Sequence, residues 1–213
     1  MIRKLLTPLW SIVILLTAAT AFAQGSSDTP RAYLSALGGV TFGNVAGGVF
    51  AGGINVVANP HLQIIGEFGR MSNVIPKTTS DQLNTVAEGF TGDGTTPFSF
   101  TASMPSTYGM GEVRVLGKQR SAVTPFVDSG FGWAKVTTHL TATQGDTDVT
   151  PDFITAADLF QSQTKPMFMA GGGVSIAAGR RAAVDIGYHW ARIFTDTQAI
   201  NTNQLVAGLR VGF

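Results

Sequence analysis

The last eleven residues, Asn203 to Phe213, alternate without a break. Leu205, Ala207, Leu209, Val211 and Phe213 fall on one side of an extended strand, and Gln204, Val206, Gly208, Arg210 and Gly212 on the other. A chain terminus is normally loose and polar. One patterned to its final residue has to be built into a sheet, and a period of two is the signature of a strand with two different environments on its faces. The same pattern recurs along the chain in segments of roughly ten residues bounded by turn residues. These are Arg31 to Phe42, Gly47 to Val57, Leu62 to Arg70, Thr107 to Leu116, Pro125 to Thr137, Pro166 to Ile176, Ala183 to Phe194 and Thr202 to Phe213, eight in all. Their length suits tilted strands crossing a hydrocarbon layer, whereas strands of soluble proteins are usually shorter.

The connections also alternate. Ala58 to His61, Gly117 to Thr124 and Ala177 to Ala182 are short; of the intervening connections, Met71 to Ser106 and Thr138 to Lys165 are long and rich in Thr, Ser, Gly and Asp, and those after the first and seventh segments are brief. With both termini on one side, the short turns share that side and the long loops lie opposite, which is the layout of an outer-membrane barrel. Asp81 to Glu88 and Asp152 to Gln161 have the pattern of one or two helical turns within the loops, read as surface decoration.

One face of the strands is oily. It collects Ile64, Phe68, Val113, Val115, Val127, Phe131, Trp133, Phe168, Val174, Ile176, Val184, Ile186, Tyr188, Trp190 and the terminal row. The other is ionic, with Glu67, Tyr108, Glu112, Arg114, Asp128, Asp185, His189 and Arg210. Alternation alone does not say which face points inward. The ionic face is also crowded with glycine, at Gly69, Gly130, Gly132, Gly171, Gly173, Gly187, Gly208 and Gly212, as a narrow interior with large charged neighbours requires. Trp133, Tyr188, Trp190 and Phe213 sit toward strand ends, where interfacial girdles form. The expected fold is therefore all-β, an eight-stranded antiparallel up-and-down transmembrane β-barrel with its carboxylates and arginines enclosed.

Residues 1–23 stand apart. Arg3 and Lys4, the apolar run Leu9 to Leu16, and Ala21-Phe22-Ala23 before Gln24 have the layout of a cleaved secretory signal peptide; an uncleaved anchor is the competing reading. Residues 24–213 are the expected barrel domain. The 213-residue chain has a formal charge of +1 and no cysteine, so nothing in its charge favours nucleic acid as a partner, and disulfides do not stabilise it in an exported setting.

Phe213 on its alternating strand resembles the terminal aromatic signal of bacterial outer-membrane barrels. AGGGVSIAAGRRAAVDIGYHWARIF with NTNQLVAGLRVGF resembles the closing half of OmpA/OmpX-like small barrel domains, and PFVDSGFGWAKV is similar to their glycine-rich fifth strand. The resemblance implies a bacterial outer-membrane location, contact with outer-membrane lipid and lipopolysaccharide, and engagement of the barrel-assembly machinery through the C-terminal strand and Phe213. Because the chain stops where the barrel stops, no periplasmic peptidoglycan-binding module is expected to follow.

Counting from the turns places Glu112 opposite Asp128, with Arg114 two residues along, and Asp185 beside Arg210. Two carboxylates in a low-dielectric interior repel unless a cation or proton intervenes, so Arg114 or Arg210 is expected to reach into the Glu112 and Asp128 pair, with Glu67 nearby and His189 on the same face. The preferred reading is an ionic network that plugs the lumen. The alternative is a gated, porin-like path for ions or small solutes, and a catalytic carboxylate dyad comes last. His61, His139 and His189 are the only histidines. No nucleophile is specified beside them and no zinc spacing is present, so no catalytic residue, metal or cofactor is expected. Gly145 to Asp148 with Asp152 offers oxygen ligands for Ca2+ but lacks the EF-hand pattern, and a solvated loop is the preferred reading. Gly171 to Gly173 is not a phosphate loop, since no helix or Lys follows as required. The function expected is structural or surface-interacting, with an unknown extracellular partner meeting loops 71–106 and 138–165. A soluble lipocalin-like carrier, with Phe168, Ile186 and Leu209 turned inward, is the third possibility.

Overall fold

The computed structural model describes residues 30–91, 98–118, 122–145, 147–150, 162–196 and 198–213. The signal-peptide reading, the helix expected at Asp152 to Gln161, and Arg120, Asp146 and Thr197 lie outside the described residues.

The eight alternating segments all form strands. They are β1 (Ala32–Phe42), β2 (Gly47–Asn59), β3 (Leu62–Met71), β5 (Ser106–Leu116), β6 (Val123–Val136), β9 (Gln163–Ala177), β10 (Ala182–Ile193) and β11 (Ile200–Gly212). Each pairs antiparallel with its neighbour, and β11 closes on β1 through a ladder from Tyr33 opposite Gly212 to Phe42 opposite Asn203. Closure explains the patterned terminus: no unpaired backbone edge survives in a hydrocarbon layer, so β11 has to be complete. The backbone N–H of Phe213 itself donates to the Ala32 carbonyl at 3.1 Å. The turn between β9 and β10 is held by an Ala178 N–H to Ala182 carbonyl bond of 2.8 Å. Gly179 there has φ of 107°, a conformation available to glycine without steric cost.

The faces resolve as the oily-out sense. Phe50, Phe68 and Trp133 are 69%, 66% and 59% exposed, whereas Glu112, Arg114 and Asp128 are 3%, 6% and 4% exposed. An apolar exterior of this kind is stable only against acyl chains, because in water it would be a continuous hydrophobic patch far above what monomers expose. Ile186 and Leu209 stand on the outer face, as does Phe168, whose ring meets Trp190 at 6.2 Å. The lipocalin-like expectation is thereby corrected.

The long loops carry secondary structure of their own. Between β3 and β5 the chain forms α1 (Lys77–Thr91), four residues longer at its start and three at its end than the Asp81 to Glu88 expectation, and then β4 (Phe98–Ser103). Pro76 precedes the helix, where its missing N–H costs nothing, and its carbonyl accepts from Thr79 and Ser80 at 3.0 and 3.1 Å. From the other long loop come β7 (His139–Gln144) and the two-residue β8 (Thr147–Asp148), and β4 pairs with β7 from Phe98 opposite Gln144 to Ser103 opposite His139. A second, three-stranded sheet in the order β4-β7-β8 thus joins the two loops beyond the barrel, with α1 packed on β4. Its alternation, FSFTAS and HLTATQ, is the sequence signal that reading these segments as loops passed over.

Candidate functional site

Inward positions along the eight strands fill the lumen in two tiers. Toward the short turns the tier is ionic. Arg114 on β5 lies directly opposite Asp128 on β6 and bonds it through Nη2 at 2.9 Å, while its Nη1 donates to Asp185 Oδ2 on β10 at 2.5 Å. Its guanidinium lies 4.0 Å from the centre of the Phe126 ring. Arg210 on β11 places Nε 2.9 Å from the same Asp185 oxygen, and donates to Gln63 at 3.0 Å and to Ser175 at 2.6 Å. His189 Nε2 lies 3.5 Å from Asp128 Oδ1. Tyr108 donates to Glu67 at 2.8 Å. A cavity of about 30 Å³ among Asn55, Glu67, Arg114, Asp185 and His189 has room for about one or two waters.

One expected register is corrected: Glu112 lies opposite Gly130, not Asp128. Asp185 lies opposite Gly208 in the ladder and, as expected, beside Arg210. The shift of two residues keeps every side chain on its expected face but changes its partner. Arg114 therefore sits between Asp128 and Asp185, and Glu112 makes no ion pair among the described residues. Its Oε1 is buried without a hydrogen-bond partner. Arg210 reaches Asp185 on the diagonal, because a guanidinium stem is long enough to cover that offset. Glu67 is partnered by a phenol and not by a cation.

Toward the long loops the tier is apolar, which the sequence reading did not anticipate. Met71, Met110, Met167, Met169, Tyr108, Val136, Ile193 and Ile200 pack together, each no more than 6% exposed. Val74, just beyond β3, is fully buried in the same cluster, tied down by its N–H to the Met104 carbonyl at 2.9 Å. The signal was available: Met71 and Met110 share the parity of the ionic residues on their strands, and Met167 and Met169 that of Gly171 and Gly173. Methionine suits the place because an unbranched, flexible side chain fills irregular gaps between curved walls. Glycine supplies the remaining fit. A Cβ at Gly130 would meet Glu112 Cγ at 2.5 Å, and one at Gly171 would run into the His189 ring.

Trp133, Tyr188 and Trp190 all lie on the outer face in the long-loop half of their strands, and Phe42 meets Tyr188 at 6.2 Å. Phe213, 54% exposed, is at the opposite rim. Of the histidines, His189 is inside the lumen, His61 turns its Nδ1 to the Leu116 carbonyl at 3.3 Å, and His139 opens β7. None bonds a Ser or Thr hydroxyl among the described residues. Of the oxygen ligands considered for Ca2+, Asp146 and Asp152 lie outside the described residues.

A closed eight-stranded antiparallel barrel with an oily exterior, a side-chain-filled lumen, short turns at one end and two long connections at the other is the fold of the small outer-membrane barrels. Solved structures agree on this fold. The chain matches Neisserial surface protein A at a TM-score of 0.57 and 15% identity, covering 89% of this chain and 100% of that one. It matches the N-terminal β-barrel domain of Pseudomonas aeruginosa OprF at a TM-score of 0.52 and 10% identity, covering 88% and 100%. No protein-family model matches the sequence, and the search of curated proteins finds no match.

Proposed function

We propose that this protein is an integral barrel of a bacterial outer membrane, exported by a cleaved signal peptide at residues 1–23, whose work is structural or surface-interacting and not enzymatic. The observation that carries the reading is the two-tier filling of the lumen. An ion entering from the long-loop end meets packed methionine and isoleucine side chains, and stripping its hydration shell there is costly. Below them it meets Asp128, Asp185, Arg114 and Arg210, already paired with one another. Both tiers favour a plug over a pore. The long-loop end, by contrast, carries α1 and the three-stranded sheet, a folded surface built well beyond what closing a barrel needs. Loops that long and that organised are where binding concentrates, so the extracellular partner is sought on 71–106 and 138–165.

In this arrangement the outer aromatic residues and the oily band contact lipid and lipopolysaccharide, and the C-terminal strand with Phe213 is the handle for the assembly machinery. The test is electrical. Purified protein that resists detergent until boiled, as a folded barrel does, should give no discrete conductance steps in planar bilayers. Steps that change size on Glu112→Gln or Arg114→Gln would favour the narrow channel instead.

A further inference from the structure

The short-turn end of the barrel contains a larger cavity of about 260 Å³, with Arg210 at its floor and Arg180 and Arg181 at its mouth. Gln63, Thr124 and Ser175 contribute polar walls, and no carboxylate lines it. Arg31 and Lys118 stand exposed at the same end. Outside the lumen, no Asp or Glu among the described residues is found there; Asp81, Glu88 and Asp196 are all at the long-loop end. Among the described residues, the charged side chains lining the cavity and standing at its rim are thus basic, with Asp185 above the floor.

The floor is rigid. Arg210 is held by Gln63 at 3.0 Å, by Ser175 at 2.6 Å and by the Tyr33 ring at 5.4 Å. Each terminal guanidinium nitrogen carries two N–H groups, so one on each remains beyond those two bonds. The mouth is fixed as well, since Arg181 accepts the Gly212 N–H on its carbonyl at 2.6 Å and Ala178 bonds Ala182 across the turn. Guanidinium groups on preset backbone match tetrahedral oxyanions with paired N–H donors.

We propose that this vestibule binds a phosphate group. Its size lies just under the roughly 300 Å³ at which ordinary small-molecule pockets begin, so it takes a phosphate with a few further atoms and not a polymer. The phosphate can arrive free along the barrel axis or on a lipid headgroup folded in from the rim, and the two sources are separable.

Folded protein in maltoside micelles, titrated calorimetrically with inorganic phosphate, should show saturable binding that sodium chloride at equal ionic strength does not reproduce. Arg180→Gln/Arg181→Gln should weaken it at least tenfold while keeping heat-modifiable migration, and Arg180→Lys/Arg181→Lys should recover part of the loss. Thr124→Glu, which places a carboxylate in the wall, should abolish binding and decides the matter should the arginine variant fail to fold. Nanodiscs then identify the source. Phosphate binding that survives in anionic phosphatidylglycerol discs marks a soluble ligand, and binding lost there but kept in maltoside marks a headgroup. Heats no different from chloride, or equal affinity in the glutamine and glutamate variants, would overturn the proposal.

Discussion

Replacing Arg114 by Gln tests how the lumen is held together. Arg114 is the cation shared by Asp128 and Asp185, at 2.9 and 2.5 Å, with side-chain exposures of 7%, 0% and 13% for the three residues. A pair at about 4 Å in an effective dielectric near 20 is worth about 4 kcal/mol in Coulomb attraction. Desolvation of both ions offsets much of that, but removing one partner leaves the other charge buried, at a cost of about 3–5 kcal/mol. The two aspartates do not lose equally. Asp185 retains Arg210 at 2.9 Å, whereas Asp128 is left with His189 at 3.5 Å, so most of the cost falls on Asp128. Reversible urea unfolding in phospholipid vesicles, followed by tryptophan fluorescence, should show a loss in this range with an unchanged slope against urea. Removing the stranded charge as well should return part of it: Arg114→Gln/Asp128→Asn is expected to be more stable than the sum of the single changes by about 1–3 kcal/mol. A single-mutant loss below about 1 kcal/mol with additive doubles would refute the reasoning, since it would mean that water, not Arg114, solvates these carboxylates.

Glu112→Gln should behave differently, changing stability by no more than about 1 kcal/mol in the same assay, because no ion pair is broken and an unpartnered oxygen is replaced by a neutral amide. Met169→Ala should cost about 2–5 kcal/mol through the cavity it opens, and Met167→Ala/Met169→Ala should raise ion leakage across vesicles if the apolar tier is the seal. Phe131→Arg, on the outer face of β6, should destabilise by about 2–4 kcal/mol if that position lies near the bilayer midplane. Spin labels at Val113 and Ile186 should be reached by lipid-soluble quenchers and one at Asp185 shielded; the reverse pattern would overturn the orientation of the whole barrel.

What the sequence alone determined is everything that depends on parity within a strand. A period of two is local, so the eight segments, their boundaries to within three residues, and the face of Glu67, Glu112, Arg114, Asp128, Asp185, His189 and Arg210 could all be read before any pairing was known. Only the tertiary structure decided who meets whom. A slip of two residues preserves every face and therefore leaves no trace in the alternation, yet it moves Arg114 from beside a carboxylate pair to between Asp128 and Asp185, and leaves Glu112 without an ion pair among the described residues. The methionine tier was hidden for a related reason: an apolar residue at an inward position becomes a packed plug only when strands distant in sequence, such as β3 and β9, bring Met71 and Met167 together. The outer sheet likewise needed β4 and β7 to find each other across the barrel, and long-range pairing of that kind is a property of the closed fold and not of either loop.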